Sequence, residues 1–173
     1  TFSDFLKEST DKRVVVSLER FDPPTMHHKD LLEEASQVGG KDAPYRIYVA
    51  ESGNISHDLR VKATRKMFEH HGRNIMADRG VVDMGSMLRK LGKQGFTSVT
   101  VMVEESKIDS ARAIASKFSE SFKTIDVIPS PISGPAIEAR ARASNDVDSF
   151  REALQVESPL ARRLYESLNP VDV

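Results

Sequence analysis

The chain has 173 residues, 39% hydrophobic and 29% charged, with 25 Lys plus Arg against 26 Asp plus Glu for a net charge of −1. These figures fit one domain with enough apolar content for a core, and they argue against wholesale disorder. The charge balance argues against binding nucleic acid or an anionic membrane by bulk charge. No run reaches the ~18 apolar residues of a membrane span, and the absence of Cys removes disulfides, thiol nucleophiles and Cys-based zinc sites. No signal peptide is legible, and Thr1 in first position reads as initiator-Met removal.

Taken in chain order, residues 1–10 form a polar arm with Phe2, Phe5 and Leu6 at helical spacing. Val14, Val15 and Val16 open a β-branched run that ends at Leu18, the pattern of a strand buried on both faces. Two prolines break the loop over residues 19–25. A helix is predicted to start near Thr25 or Met26, with Leu31, Leu32, Ala35 and Val38 on one face and Gly39-Gly40 at its end. Residues 45–50 read as a second strand. A helix over 59–71 aligns Leu59, Ala63 and Met67, and 74–77 read as a short third strand. Met84, Met87, Leu88 and Leu91 define a helix face at i, i+3, i+4 and i+7. Residues 98–103 form a fourth strand. Ala111, Ile114, Ala115 and Phe118 repeat the helical spacing, and 124–128 form a fifth strand closed by Pro129 and Pro131. Helices are predicted over 136–143, 147–154 and 159–168, the last with Leu160, Leu164 and Leu168 in register.

This alternation predicts an α/β fold: a Rossmann-like five-stranded parallel sheet with helices on both faces, a short N-terminal arm and C-terminal helices. The expected organisation is one domain over 1–173, with the arm at 1–12 and a C-terminal helical extension at 145–173. Ligands of such sheets bind beyond the carboxyl ends of the strands, at the switch point, so the loop after the first strand is the place for chemistry. A helix N-terminus there offers free N–H groups and a positive dipole end, a generic phosphate site. His28 shares a face with Leu31, Leu32 and Ala35 and should point toward the sheet, either as a packed residue or as a donor to phosphate. His27 should face solvent. His70 and His71 should line a solvated helix end, and adjacent histidines do not make a metal pair.

The run Arg20-Phe21-Asp22-Pro23-Pro24-Thr25-Met26-His27-His28 resembles the signature loop of the nucleotidyltransferase superfamily, which includes cytidylyltransferases and adenylyltransferases. It is most similar in look to nucleotidyltransferase-like proteins of large tailed bacteriophages, whose loop reads roughly Gly-Arg-Phe-Asn-Pro-Pro-Thr-x-Gly-His. The likeness extends to Phe2-Ser3-Asp4-Phe5-Leu6, Arg65-Lys66-Met67-Phe68, Arg73-Asn74-Ile75-Met76-Ala77-Asp78 and Asn145-Asp146-Val147-Asp148-Ser149-Phe150-Arg151. The resemblance implies a five-stranded parallel Rossmann-like sheet. It also implies transfer of a nucleotidyl group from a nucleoside triphosphate to a phosphate-bearing acceptor, with pyrophosphate released and magnesium usually required. Such catalysis is positioning plus charge stabilisation.

Four departures from the family loop bear on that activity. Glu19 replaces a glycine that admits phosphate to the backbone, and His27 replaces the motif's glycine. Glu104, Glu105 and Ser106 replace a Gly-Ser-Asp after the fourth strand. Ser133-Gly134-Pro135-Ala136-Ile137 matches the late phosphate motif but lacks its cation, which Arg140 or Arg142 would supply only if the alignment slips. Two unit charges ~4 Å apart interact by about 4 kcal/mol at an effective dielectric near 20, so carboxylates at this mouth oppose a triphosphate. The segment 51–58 is also shorter than its phage counterpart.

The expectation is therefore a catalytically degenerate nucleotidyltransferase-fold protein with no cofactor and no metal site. It would act as a structural or interaction module with protein partners, in a bacteriophage virion or the host cytoplasm. Docking would use Phe2, Phe5 and Leu6 or the C-terminal helices, although the C-terminal stripe is more simply read as packing on its own domain. Oligomeric state stays open. The alternative is an active enzyme using ATP or CTP with Mg, in which His28 and Thr25 are catalytic and Arg20, Phe21, His28 and Ser133 hold the nucleotide. An aromatic content of 6% supplies no stacking platform for a nucleic acid.

Overall fold

Three consecutive valines decide where the centre of the sheet lies. Val14, Val15 and Val16 are all buried, so the strand that carries them is covered on both faces, as its unbroken β-branched run requires. The computed structural model describes residues 11–144 and 146–170. Strand β1 (Arg13–Glu19) sits in the middle of a five-stranded sheet with β2 (Tyr45–Val49), β3 (Ile75–Met76), β4 (Ser98–Val103) and β5 (Thr124–Pro129). The order is β3-β2-β1-β4-β5, and every pairing is parallel. The chain winds outward from β1 to one edge and then returns to β4 on its other side. The switch point therefore falls between β1 and β4.

Helix α1 (Lys29–Gly39) and helix α2 (His57–Met67) cover one face. Leu31, Leu32 and Ala35 pack there with Val15, Ile47, Val49 and Met102. Helix α3 (Met84–Lys93) covers the other face, with Met87, Leu88 and Leu91 against Val14, Val16, Val99 and Val101. Each such side chain contributes roughly 1.5–3 kcal/mol on burial. Helix α4 (Ile108–Ser116) adds Ala111 and Ala115 beside Val127 of β5. A third cluster joins α2 to α5 (Gly134–Arg142), α6 (Val147–Leu154) and α7 (Ser158–Leu168). It buries Phe150, Leu154, Leu160 and Leu164 against Ala63 and Ala141. The C-terminal stripe is thus internal packing and leaves no free docking face along Leu160 and Leu164. The arm residues Phe2, Phe5 and Leu6 lie outside the described residues.

Several local expectations need correction. The first turn after the prolines is a 3-10 turn, Met26–His28, and α1 proper begins at Lys29. Val38 is 41% exposed instead of completing the inner stripe of α1. The helix expected to reach His71 stops at Met67. Phe68 leaves helical geometry and is buried in the α1–α2 cluster, after which a 3-10 segment, Glu69–Asn74, leads into β3. His70 is exposed as expected, but His71 is half-buried, with its Nδ1 2.6 Å from the Tyr45 hydroxyl. Helix α5 starts two residues early, at Gly134, because Pro135 suits a first-turn position. Among the described residues no helix is long and apolar enough to cross a membrane.

Candidate functional site

The carboxyl ends of β1 and β4 frame a cavity of about 220 Å3, below the ~300–1,000 Å3 usual for sites that take drug-sized ligands. Leu18, Glu19 and Arg20 reach it from β1 and the loop beyond, Val103 and Glu104 from β4, and Pro135 and Glu138 from α5. The position is the one that strand order demands.

Two buried charges hold the loop after β1. Arg60, on the inward face of α2, is 0% exposed and donates to four backbone carbonyls. Its Nε reaches Ile55 O at 2.8 Å, Nη1 reaches Arg20 O at 2.6 Å and Ala50 O at 2.7 Å, and Nη2 reaches Glu51 O at 2.6 Å. Asp22 is equally enclosed and accepts from Asn54 N at 2.8 Å, Ile55 N at 2.9 Å and Arg20 Nη2 at 3.3 Å. The Asp22 N–H donates to Glu138 Oε1 at 2.6 Å, and Arg142 Nη1 donates to the Asp22 carbonyl. The Asp22-Pro23 peptide is cis. The two segments 19–25 and 50–55 are therefore cross-tied by charge-assisted hydrogen bonds.

Behind this loop the motif histidine is sealed. His28 is 0% exposed, and its Nδ1 accepts from the Thr25 N–H at 2.9 Å, which leaves the ring proton on Nε2. That Nε2 is buried and finds no partner. Phe21 takes a left-handed φ of 50°, and its ring lies 4.8 Å from the imidazole at a 45° tilt. Burial, opposed by the Thr25 carbonyl close to Nδ1, pushes the His28 pKa down to about 4. The ring is neutral across the physiological range and makes no contribution to the cavity wall.

Carboxyl groups crowd the start of α5, and the Glu19 side chain packs against Gly134. A Cβ placed on Gly134 would lie 2.5 Å from Glu19 Oε2. Ser133, at the cap of α5, donates its hydroxyl to Glu104 Oε1 at 2.9 Å. Burial, reinforced by the repulsion of Glu138 and opposed by Lys107, pushes the Glu19 pKa up to about 8. Burial likewise raises Glu138 above the usual carboxylate range, against the Asp22 N–H bond. Glu105, expected at this mouth, is exposed, and Glu138 takes the third place beside Glu19 and Glu104.

Gly134→Ala tests this packing. The obstructing atom ends a flexible side chain, so the carboxylate should swing out at a cost of no more than about 1–3 kcal/mol. Its pKa should then fall from about 8 toward the ordinary value in a carboxyl 13C titration. A Glu19 that still titrates near its parent value would refute the contact.

The sequence-derived candidates divide accordingly. Arg20 reaches the cavity, but its guanidinium is turned to Asp22. Ser133 stands beside the cavity with its hydroxyl committed to Glu104. Thr25, Phe21 and His28 form a buried unit behind the loop and do not line the cavity. Arg142 is committed to Asp22, and Arg140 is exposed, so neither replaces the missing cation. Arg60 and Glu138 were not singled out from sequence. Both sit on inward helix faces, at i, i+3, i+4, i+7 spacing with His57, Val61 and Thr64 and with Gly134, Ile137 and Ala141. Among the described residues no group of three or more His, Asp or Glu is arranged to hold a metal ion. The residues at the start of α5 do not fit the magnesium triphosphate that the resemblance implies.

The architecture is a Rossmann-like α/β fold. A crystal structure described as a "Putative Nicotinate-nucleotide Adenylyltransferase from Vibrio parahaemolyticus" shares it, with a TM-score of 0.55 over 87% of this chain and 96% of that one, at 17% sequence identity. No family model matches the chain. No curated protein is significantly similar to it.

Proposed function

We propose that the protein is a catalytically degenerate member of the nucleotidyltransferase fold that serves as a structural or interaction module. Its proposed partners are other proteins, and the phage-like pieces of its sequence favour a virion or host-cytoplasm setting. The carrying observation is the Glu19 carboxylate seated on the first turn of α5, where a transferase would cradle phosphate. Two further facts support it: Ser133 is bonded to Glu104, and His28 is walled off behind Phe21 with its Nδ1 taken by Thr25. A triphosphate at this place would have to displace the Glu19 carboxyl from Gly134, with Arg20 and Arg142 already turned to Asp22.

Thermal unfolding with saturating ATP or CTP plus magnesium is expected to leave the midpoint unmoved, since a ligand held only by the folded state must raise it. A rise that His28→Ala abolishes would defeat this reading and restore an active transferase.

A further inference from the structure

On the α1 side of the sheet, cover stops short of the last two strands. Val99 and Val101 of β4 pack under α3, so alternation along the strand turns Ser98, Thr100 and Met102 to the face that α1 covers. The parallel register sets Thr124, Asp126 and Ile128 of β5 beside them. Met102 and Ile128 pack against the α1 cluster, but Thr100 is only half-buried, and Thr124 and Asp126 are exposed. Val38, at the end of the α1 stripe, overhangs this stretch with 41% of its surface exposed. Two depressions of about 330 and 560 Å3 meet at Val38, Thr100 and Asp126 and form one groove. Strand β5 is also an edge of the sheet, and an uncovered edge is a template for stray pairing.

The described chain enters at the mouth of this groove. Ser98 Oγ, which lines it, donates to Asp11 Oδ1 at 3.1 Å, and Thr97 Oγ1 donates to the same oxygen at 2.7 Å. Asp11 Oδ2 lies 3.9 Å from Nζ of Lys123, the residue just ahead of β5. Asp11 is therefore held between the amino ends of β4 and β5, with ten residues before it. In that stretch Phe2, Phe5 and Leu6 fall on one side at helical spacing, and Asp4, Lys7 and Glu8 on the other. Ten residues span about 15 Å as a helix, against about 20 Å for the six residues of β5.

We propose that residues 1–10 dock in cis on this groove and supply the missing cover of β4 and β5, with Phe2, Phe5 and Leu6 against Val38 and Ile128. Charge fits the same placement. Asp126 and Arg112 line the groove without an ion pair among the described residues, opposite in sign to Lys7 and to Asp4 or Glu8. A separate protein would have to bring its own apolar segment and lose translational freedom, whereas these ten residues are tethered at the groove's mouth at high effective concentration. The docking holds whether or not the protein binds a triphosphate.

The test uses the full chain, which has no Cys, so Ser3→Cys takes a nitroxide label at a single site. The 13C-methyl signals of Val38, Ile128 and Val82 are read with the label oxidised and then reduced. Val38 and Ile128 should lose more than half of their intensity, while Val82, exposed beside the start of α3, keeps its own. Phe5→Ser, which alters only residues 1–10, should restore both signals. Val38→Asp, a change at an exposed position, should release the segment as well, read at Ile128. Undiminished Val38 and Ile128 signals, or an equal loss in the Phe5→Ser chain, would overturn the proposal. So would loss that appears only when spin-labelled chains without 13C are mixed with 13C chains without the label, because the segment would then sit on a second copy.

Discussion

Arg60→Met is expected to lower the unfolding free energy by about 4 kcal/mol, measured by urea denaturation. Four backbone carbonyls, those of Arg20, Ala50, Ile55 and Glu51, lose their donors at once, and two of these bonds are fully buried. A hydrogen bond to a charged group contributes about 1.5–3 kcal/mol net, and an unsatisfied buried carbonyl adds its desolvation penalty. The sum is limited because the loop can relax toward water once untied. Arg60 also offsets the field of Asp22, so its loss leaves that buried carboxylate with less positive charge nearby. Arg60→Lys should recover less than half of the loss, since one ammonium cannot span carbonyls on both segments as the guanidinium fork does. Full rescue by Lys would show that charge alone, and not the fork, secures the loop. Gly53 is shaped for the same fork: a Cβ there would lie 2.9 Å from Arg60 Cζ.

That loop also shows where sequence reading reaches its limit. The five-stranded parallel sheet was legible because Val14–Val16 is an unbroken apolar run, Ser98–Val103 is rich in valine, and helix faces such as Met87, Leu88 and Leu91 repeat at helical spacing. The inward direction of His28 was legible for the same reason. Its enclosure was not, because that depends on Phe21 adopting a left-handed φ, which no neighbouring residue signals. The buried charges were hidden differently. Arg60 and Glu138 stand at core-facing positions of α2 and α5, but a pattern that counts apolar letters passes over them. Glu105 was the natural third acid by sequence order. The turn after β4 sends it to solvent, and only the approach of α5 brings Glu138 to the cavity. The end of α2 at Met67 was likewise set by tertiary packing of Phe68, which overrode a continuing helical pattern.

Glu19→Gln should stabilise the protein at pH 8–9 by on the order of 3 kcal/mol and by less than about 1 kcal/mol near pH 5. The carboxyl titrates at about 8 in the fold, against an ordinary value of 4.5. Between those values the folded state holds the proton more tightly than the unfolded chain. Raising the pH through that window therefore favours unfolding, and stability falls. At about 1.4 kcal/mol per unit the ceiling is near 5 kcal/mol, and the residual solvent contact of the side chain brings it down. Glutamine keeps the shape of the protonated acid and removes the ionisation, so parent and variant should converge at low pH and separate as alkali is added. His28 acts in the opposite direction. Its folded pKa lies near 4 against 6.5, so its stabilising share is lost as pH falls through that range. That contribution is common to both proteins and cancels in their difference. Unfolding midpoints of the pair, measured from pH 5 to pH 9, give the sign directly. A gap independent of pH would mean that Glu19 is as acidic in the fold as in water, and hence that burial does not hold its proton.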